Sequence, residues 1–180
     1  ASQSAPNVEV RPEDPVRMET QVSLPAGATA VIRWYRLMPD GALFSGVVGD
    51  SLTPTAAYWI GRAIGSQSLA QGEANVAVAR DGRLSGPQLA EQLIQGLLDC
   101  GCQVTDVGMV PTPVLYYAAN VLAGKSGVML TGSHNPPNYN GFKIVVGGET
   151  LANEQIQALR QRIETNDLAS GVGSIEQIDI

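Results

Sequence analysis

From Thr53 onward, short runs rich in Val, Ile and Ala alternate with longer stretches whose apolar residues recur every three or four positions. Gly or Pro marks most changes of period. Strands separated by helical crossovers pair in parallel, and a parallel sheet must be covered on both faces, so the chain has few architectures open to it. The first helical stretch opens on Thr53-Pro54, an N-cap and first-turn pair, and presents Ala56, Ile60, Ala63 and Ile64 on one side. Gly65 can end or weaken it. Asn75 to Ala79 reads as a strand entering the loop Arg80-Asp81-Gly82-Arg83-Leu84-Ser85-Gly86. The next helix starts near Ser85 or Pro87 and carries the stripe Leu89, Leu93, Ile94, Leu97 and Leu98 as far as Gly101.

A second strand is expected across Gln103 to Val107, and Pro111-Thr112-Pro113 resets the chain before a helix over Val114 to Leu122 with Gly124 as its cap. Gly127 to Leu130 is the next strand, and Phe142 to Val146 returns to the turn Gly147-Gly148. A last helix runs from about Asn153, as cap, to Glu164, with Ile156, Leu159 and Ile163 inward. The tail from Thr165 to Ile180 reads as a linker or an edge strand. The expected fold class is α/β, with a mixed, mostly parallel sheet flanked by helices and an atypical N-terminal segment over residues 1–45. Within that segment Ala1 to Pro25 passes as a flexible arm. Val31 to Arg36 reads as an edge strand closed by the turn Pro39-Asp40-Gly41.

With 180 residues the chain suffices for one domain with a sizeable core. A net charge of -6 without a long Lys/Arg cluster excludes a general nucleic-acid surface. No apolar run approaches the length of a membrane span, and no basic region followed by an apolar run suggests a secretory signal, so a cytoplasmic location is expected. Cys100 and Cys102 are too close for an ordinary disulfide and too few for a zinc site; two partly buried thiols are expected.

Chemistry concentrates in Thr131-Gly132-Ser133-His134-Asn135-Pro136-Pro137-Asn138-Tyr139-Asn140-Gly141-Phe142-Lys143, which sets a serine beside the only histidine of the chain, between two strand-like runs. Ser133 can accept a phosphoryl group, His134 can donate a hydrogen bond or relay a proton, and Lys143 can neutralise phosphate oxygens. Gly132 and Gly141 let backbone N–H groups approach an anion. On residue types alone, turn chemistry with a solvated lysine is the commoner explanation of such a loop.

The complete string closely resembles the phosphoserine loop of the alpha-D-phosphohexomutase superfamily: a small residue, Ser, His, Asn, Pro, a short spacer, then Asn-Gly-x-Lys. The spacer and Phe142 are most similar to the bacterial phosphomannomutase/phosphoglucomutase branch, and the resemblance extends from Gly46-Val47-Val48-Gly49-Asp50 to the end, as domain 1 of that architecture over residues 46–180. It implies interconversion of hexose 1-phosphate and hexose 6-phosphate, on mannose or glucose, through a bisphosphorylated sugar, in the service of exopolysaccharide and lipopolysaccharide synthesis. Ser133 would carry the phosphoryl group and offer one ligand to Mg2+, Lys143 would stabilise charge or manage a proton, and His134 would position substrate or phosphate. Arg80, Asp81 and Arg83 resemble the family's strand-end string and would support phosphate or an interdomain contact; a tight turn with solvated charges is the open alternative. Asn135 and Asn140 complete the phosphate-supporting set. Expected partners are hexose phosphates and the remaining domains of the same enzyme, with no nucleic acid and no membrane.

The chain departs from the family in two ways. Ala42-Leu43-Phe44-Ser45 stands where the family carries an aromatic-Arg-x-Tyr-Asp-x-Arg-Gly string, and neither the Asp-Gly-Asp-Gly-Asp-Arg metal string nor the Gly-Glu-x-Ser-Gly-His sugar-reading loop occurs. The isolated chain is therefore expected to be inactive. A non-enzymatic phosphate-binding or interaction module is the alternative, and a fused or engineered origin of residues 1–45 is a third possibility.

Overall fold

The computed structural model describes residues 17–23, 29–35 and 43–178. In chain order these form β1 (Arg17–Ser23), β2 (Thr29–Tyr35), β3 (Leu43–Val47), α1 (Pro54–Ala70), β4 (Asn75–Arg80), α2 (Gly86–Leu98) and β5 (Gln103–Met109). Then follow α3 (Thr112–Val121), β6 (Gly127–Leu130), β7 (Tyr139–Val146), β8 (Glu149–Thr150), α4 (Asn153–Glu164) and β9 (Ser174–Gln177). The main sheet runs β3-β7-β6-β4-β5-β9, with β8 added on β7. β4 pairs in parallel with both β5 and β6, and β5 in parallel with β9. β7 opposes β3, β6 and β8, so among the described strands of this sheet it alone runs backwards. The expected α/β class with a mostly parallel sheet is what the molecule has.

Alternation along the strands divides the core into two layers. Val76, Val78, Val128, Leu130, Phe142 and Ile144 face α1, α2 and α4, whereas Ala77, Ala79, Val107 and Met129 face α3. Ala77 and Ala79 in this layer, with Gly127, where an added Cβ would meet Ala119 at 3.1 Å, let α3 lie close to the sheet. α1 is capped as the sequence suggests, with Thr53 Oγ1 accepting the Ala56 N–H at 3.1 Å and Pro54 at the first position.

Gly65 does not end α1, which continues to Ala70. A side chain there would meet both cysteine sulfurs, at 3.1 and 3.2 Å, so the glycine serves packing rather than termination. The same economy joins α1 to α2. A Cβ on Gly61 would strike the Leu93 carbonyl oxygen and one on Gly96 the Tyr58 carbonyl oxygen, so the two helices touch backbone to backbone.

Other boundaries differ in detail. The α4 helix begins at Asn153, and Ala152 takes the capping position, its N–H donating to Gln155 Oε1 at 3.0 Å. The tail resolves into the edge strand β9, preceded by a segment tied down where Arg62 donates to the Ala169 carbonyl at 2.8 Å. β1 falls inside the stretch read as a flexible arm, because an antiparallel partner in β2 satisfies its backbone without an alternating sequence. The turn read at Pro39-Asp40-Gly41 lies outside the described residues.

Cys100 and Cys102 are free, and both are fully rather than partly buried. Burial first, and the neighbouring Cys100 second, push the Cys102 thiol up to about 12. The folded state therefore holds this proton more tightly than the unfolded chain, whose thiol titrates near 9, and stability contributed by the neutral thiol is lost as pH rises from about 9 toward about 12. In urea titrations, Cys102→Ala is expected to flatten that part of the alkaline decline. Gly96→Ala is expected to destabilise the fold by about 1–3 kcal/mol, since its methyl must part the α1–α2 contact. Gly82→Ala, whose added carbon would find nothing nearer than 3.8 Å, is the near-neutral control in the same titration.

Candidate functional site

Three loops leave the carboxyl ends of neighbouring parallel strands: residues 81–85 after β4, 110–111 after β5 and 131–138 after β6. Ligands of open α/β sheets bind at this edge. Because β4 and β6 are neighbours, the loop carrying Asp81 and Arg83 lies beside the loop carrying Ser133, although the two are separated by about fifty residues in sequence. The Asp81 N–H donates to the Leu130 carbonyl at 2.9 Å and so keeps the two exits in step.

The serine loop is two consecutive tight turns. The Asn135 N–H returns to the Gly132 carbonyl at 2.9 Å, and the Tyr139 N–H to the Pro136 carbonyl at 3.0 Å. Its ends are closed by the Thr131 N–H on the Gly141 carbonyl at 2.9 Å. Ser133 occupies the second position of the first turn with φ +49°, a left-handed conformation for which glycine is the usual residue. Its N–H donates to Thr131 Oγ1 at 2.9 Å, and its side chain is exposed at the tip beside exposed His134. A non-glycine residue held this way costs on the order of 1–3 kcal/mol and persists only where the surroundings enforce it.

Arg83 enforces it. Its Nη1 donates to the carbonyls of Pro136 at 2.6 Å and Tyr139 at 2.9 Å, and its Nη2 to those of Asn135 at 2.7 Å and Ser133 at 3.3 Å. Nε lies 3.5 Å from Asp81 Oδ2. The Asp81 carboxylate in turn accepts the Arg83 N–H at 3.0 Å and the Gly132 N–H at 3.1 Å. Gly132 has no alternative, because a Cβ there would occupy the space of the guanidinium.

The other residues singled out in the sequence sit differently. Asn140 is wholly buried, donating to Ser85 Oγ at 3.0 Å and accepting the Gly141 N–H at 2.9 Å, so its side chain ties β7 to the start of α2. That bond occupies the Ser85 hydroxyl, which makes no capping bond to α2. Asn135 is half-buried and takes part through its carbonyl. Lys143 lies opposite Met129 on β6 and Leu43 on β3, hence on the α3 face. Arg80, two positions after Val78 on β4, is on the opposite face near the start of α2, where its Cδ is the nearest neighbour of the Gly86 position at 3.4 Å. These two cations therefore flank the loop from opposite faces of the sheet. Directly before Gly46, Ser45 is buried and pairs with Gly141, so β3 runs along the flank of the serine loop. Thr131 and Ser85 were not singled out from the sequence; for Thr131 the spacing of two to Ser133 is the signal of a hydroxyl-closed turn.

Compared with known proteins, residues 43–170 match the family model described as phosphoglucomutase/phosphomannomutase, alpha/beta/alpha domain I. The chain belongs to this family and carries its domain I over residues 43–170. It is 84% identical over 135 residues to a phosphomannomutase/phosphoglucomutase of Pseudomonas aeruginosa, covering 75% of the chain and 29% of that protein. A phosphoglucomutase of Neisseria gonorrhoeae is 53% identical over 137 residues, again 75% of the chain and 30% of that protein. Among solved structures, a phosphoglucomutase/phosphomannomutase family protein from Burkholderia thailandensis superimposes with a TM-score of 0.74 at 50% identity, over 77% of the chain and 32% of its own. The chain thus spans about three-tenths of the length of the relatives it matches.

The left-handed serine in this domain I loop has a measurable cost. Ser133→Gly is expected to raise stability by about 1 kcal/mol in thermal or urea unfolding, whereas Ser133→Ala, equally strained, is expected to bring no gain.

Proposed function

We propose that this domain carries the phosphoryl group of a phosphomannomutase/phosphoglucomutase that interconverts hexose 1-phosphate and hexose 6-phosphate, with Ser133 as carrier. The observation that supports this most is the exposed serine held at φ +49° at the tip of a braced loop, in a chain that matches domain I of such enzymes. Strained backbone kept in place by its surroundings clusters at active sites. In the forward step the Oγ–P bond of phospho-Ser133 breaks and a P–O bond forms to a sugar hydroxyl, which loses its proton while the departing Ser133 oxygen takes one up as the free hydroxyl. The bisphosphorylated sugar then returns its other phosphoryl group to Ser133, so that the enzyme is regenerated. Lys143 stabilises charge on the transferring group or manages the departing proton, and His134 positions substrate or phosphate.

Among the described residues no group of three or more His, Cys, Asp or Glu could hold a metal ion. The Asp81 carboxylate is engaged by two backbone N–H groups and by Arg83, and the loop carbonyls of Ser133, Asn135, Pro136 and Tyr139 are turned to the guanidinium. What the described residues offer Mg2+ is the oxygen of Ser133 or of its phosphate, which fits one of about six positions; in this reading waters and the further domains of the enzyme supply the others. A bound Mg2+ would neutralise part of the charge on the transferring phosphoryl group.

The remaining parts of the reading follow from the same assignment. The partners are mannose or glucose phosphates and the further domains of the enzyme, the location is cytoplasmic, and the pathway is exopolysaccharide and lipopolysaccharide synthesis. In this reading residues 1–45 are an atypical N-terminal arm or a fused segment, and residues 46–180 are the phosphoserine-bearing domain 1. No helix among the described residues is long and apolar enough to cross a membrane.

Once the chain is joined to the remaining length of its Pseudomonas relative, incubation with glucose 1,6-bisphosphate is expected to add one phosphate by intact mass, and Ser133→Ala to abolish the addition. An undiminished adduct in the variant would sink the assignment.

A further inference from the structure

We propose that Arg83 is a positioning residue: by holding the carbonyls of two consecutive turns, its guanidinium sets the left-handed backbone of Ser133, and it is not a phosphate ligand. This deepens the reading of Ser133 as phosphoryl carrier and rests on it for its functional meaning. Arginine's five donors form a rigid planar fork. Four N–H directions go to the carbonyls of Ser133, Asn135, Pro136 and Tyr139, and Nε faces Asp81. The Nη donors are thus spent on carbonyls, Nε is turned to a carboxylate, and Asp81 offsets the charge.

The loop depends on this fork more than on charge. Its four carbonyls come from both turns and converge from several directions, an arrangement that the compact ammonium of a lysine, with three donors, cannot span. Gly132 makes room for the guanidinium, and its own N–H is fixed by the same carboxylate that faces Arg83. Positioning a group within fractions of an ångström in this way is how supporting residues contribute to transfer chemistry without touching the reactants.

The test is amide hydrogen exchange followed by NMR on the 180-residue chain, with Arg83→Lys and Gly132→Ala. The second variant keeps the arginine and denies it its place. In both, exchange at the Ser133, Asn135 and Tyr139 amides is expected to rise by about tenfold or more, while protected amides of α1 and α2 keep their wild-type rates. The Arg83 Nε–H resonance of the unsubstituted chain is expected to stay still when inorganic phosphate is added. Loop exchange at wild-type rates in either variant, an equal rise throughout the helices, or a phosphate-induced shift of the Nε–H would each overturn the proposal. These readouts need no phosphoryl transfer, so they stand apart from the outcome of the Ser133→Ala experiment.

Discussion

One guanidinium joins two loops that lie about fifty residues apart in the chain, and the serine proposed as phosphoryl carrier sits at that junction. Backbone carbonyls at the end of a sheet must be satisfied, and in an exposed loop water usually does so. Here the carbonyls of Ser133, Asn135, Pro136 and Tyr139 are gathered on one side by Arg83. Gathering them inward leaves the Ser133 hydroxyl and the His134 ring on the outer side, exposed. The strain at φ +49° is sustained by bonds to charged groups, which are stronger than neutral ones.

The rest of the fold supplies the fixed frame on which this junction is built. Parallel pairing of β4 with both β5 and β6 brings three loop exits to one edge. β4 itself is buried over Val76, Ala77, Val78 and Ala79, and it is clamped between α2 on one face and α3 on the other. The backbone contact of α1 with α2 at Gly61 and Gly96 draws that layer tight. Asn140 then ties β7 to the N-terminal end of α2 through Ser85, so that the strand returning from the serine loop is referenced to the helix leaving the Arg83 loop. Displacement of either loop is thereby resisted from the core outward.

Much of this was legible in the sequence, because burial imposes periods. The stripe Leu89, Leu93 and Leu97 and the run Gly127 to Leu130 declare their elements, since their residues must face a core. The serine loop was legible as a string. What the string does not reveal is long-range: Arg83 caps carbonyls, and a carbonyl leaves no trace in residue identity. Gly65 misled because a glycine in a helix usually signals weakness, whereas here two sulfurs fill the space beside it. β1 was missed since a two-stranded ribbon needs no alternating pattern. Asn140 looked like a loop asparagine available to phosphate, yet one strand register, Gly46 opposite Asn140, places it in the interior.

The claim on which function turns is that Ser133, and not its neighbour His134, carries the phosphoryl group. The most direct measurement is peptide-level localisation after the extended chain has reacted with glucose 1,6-bisphosphate, comparing digests kept neutral with digests held in acid. A serine ester survives acid and a phosphohistidine does not, so the two carriers separate cleanly. The phosphate is expected on Ser133 in both digests. Phosphate on His134 that disappears in acid, or phosphate on a peptide outside residues 131–143, would contradict it.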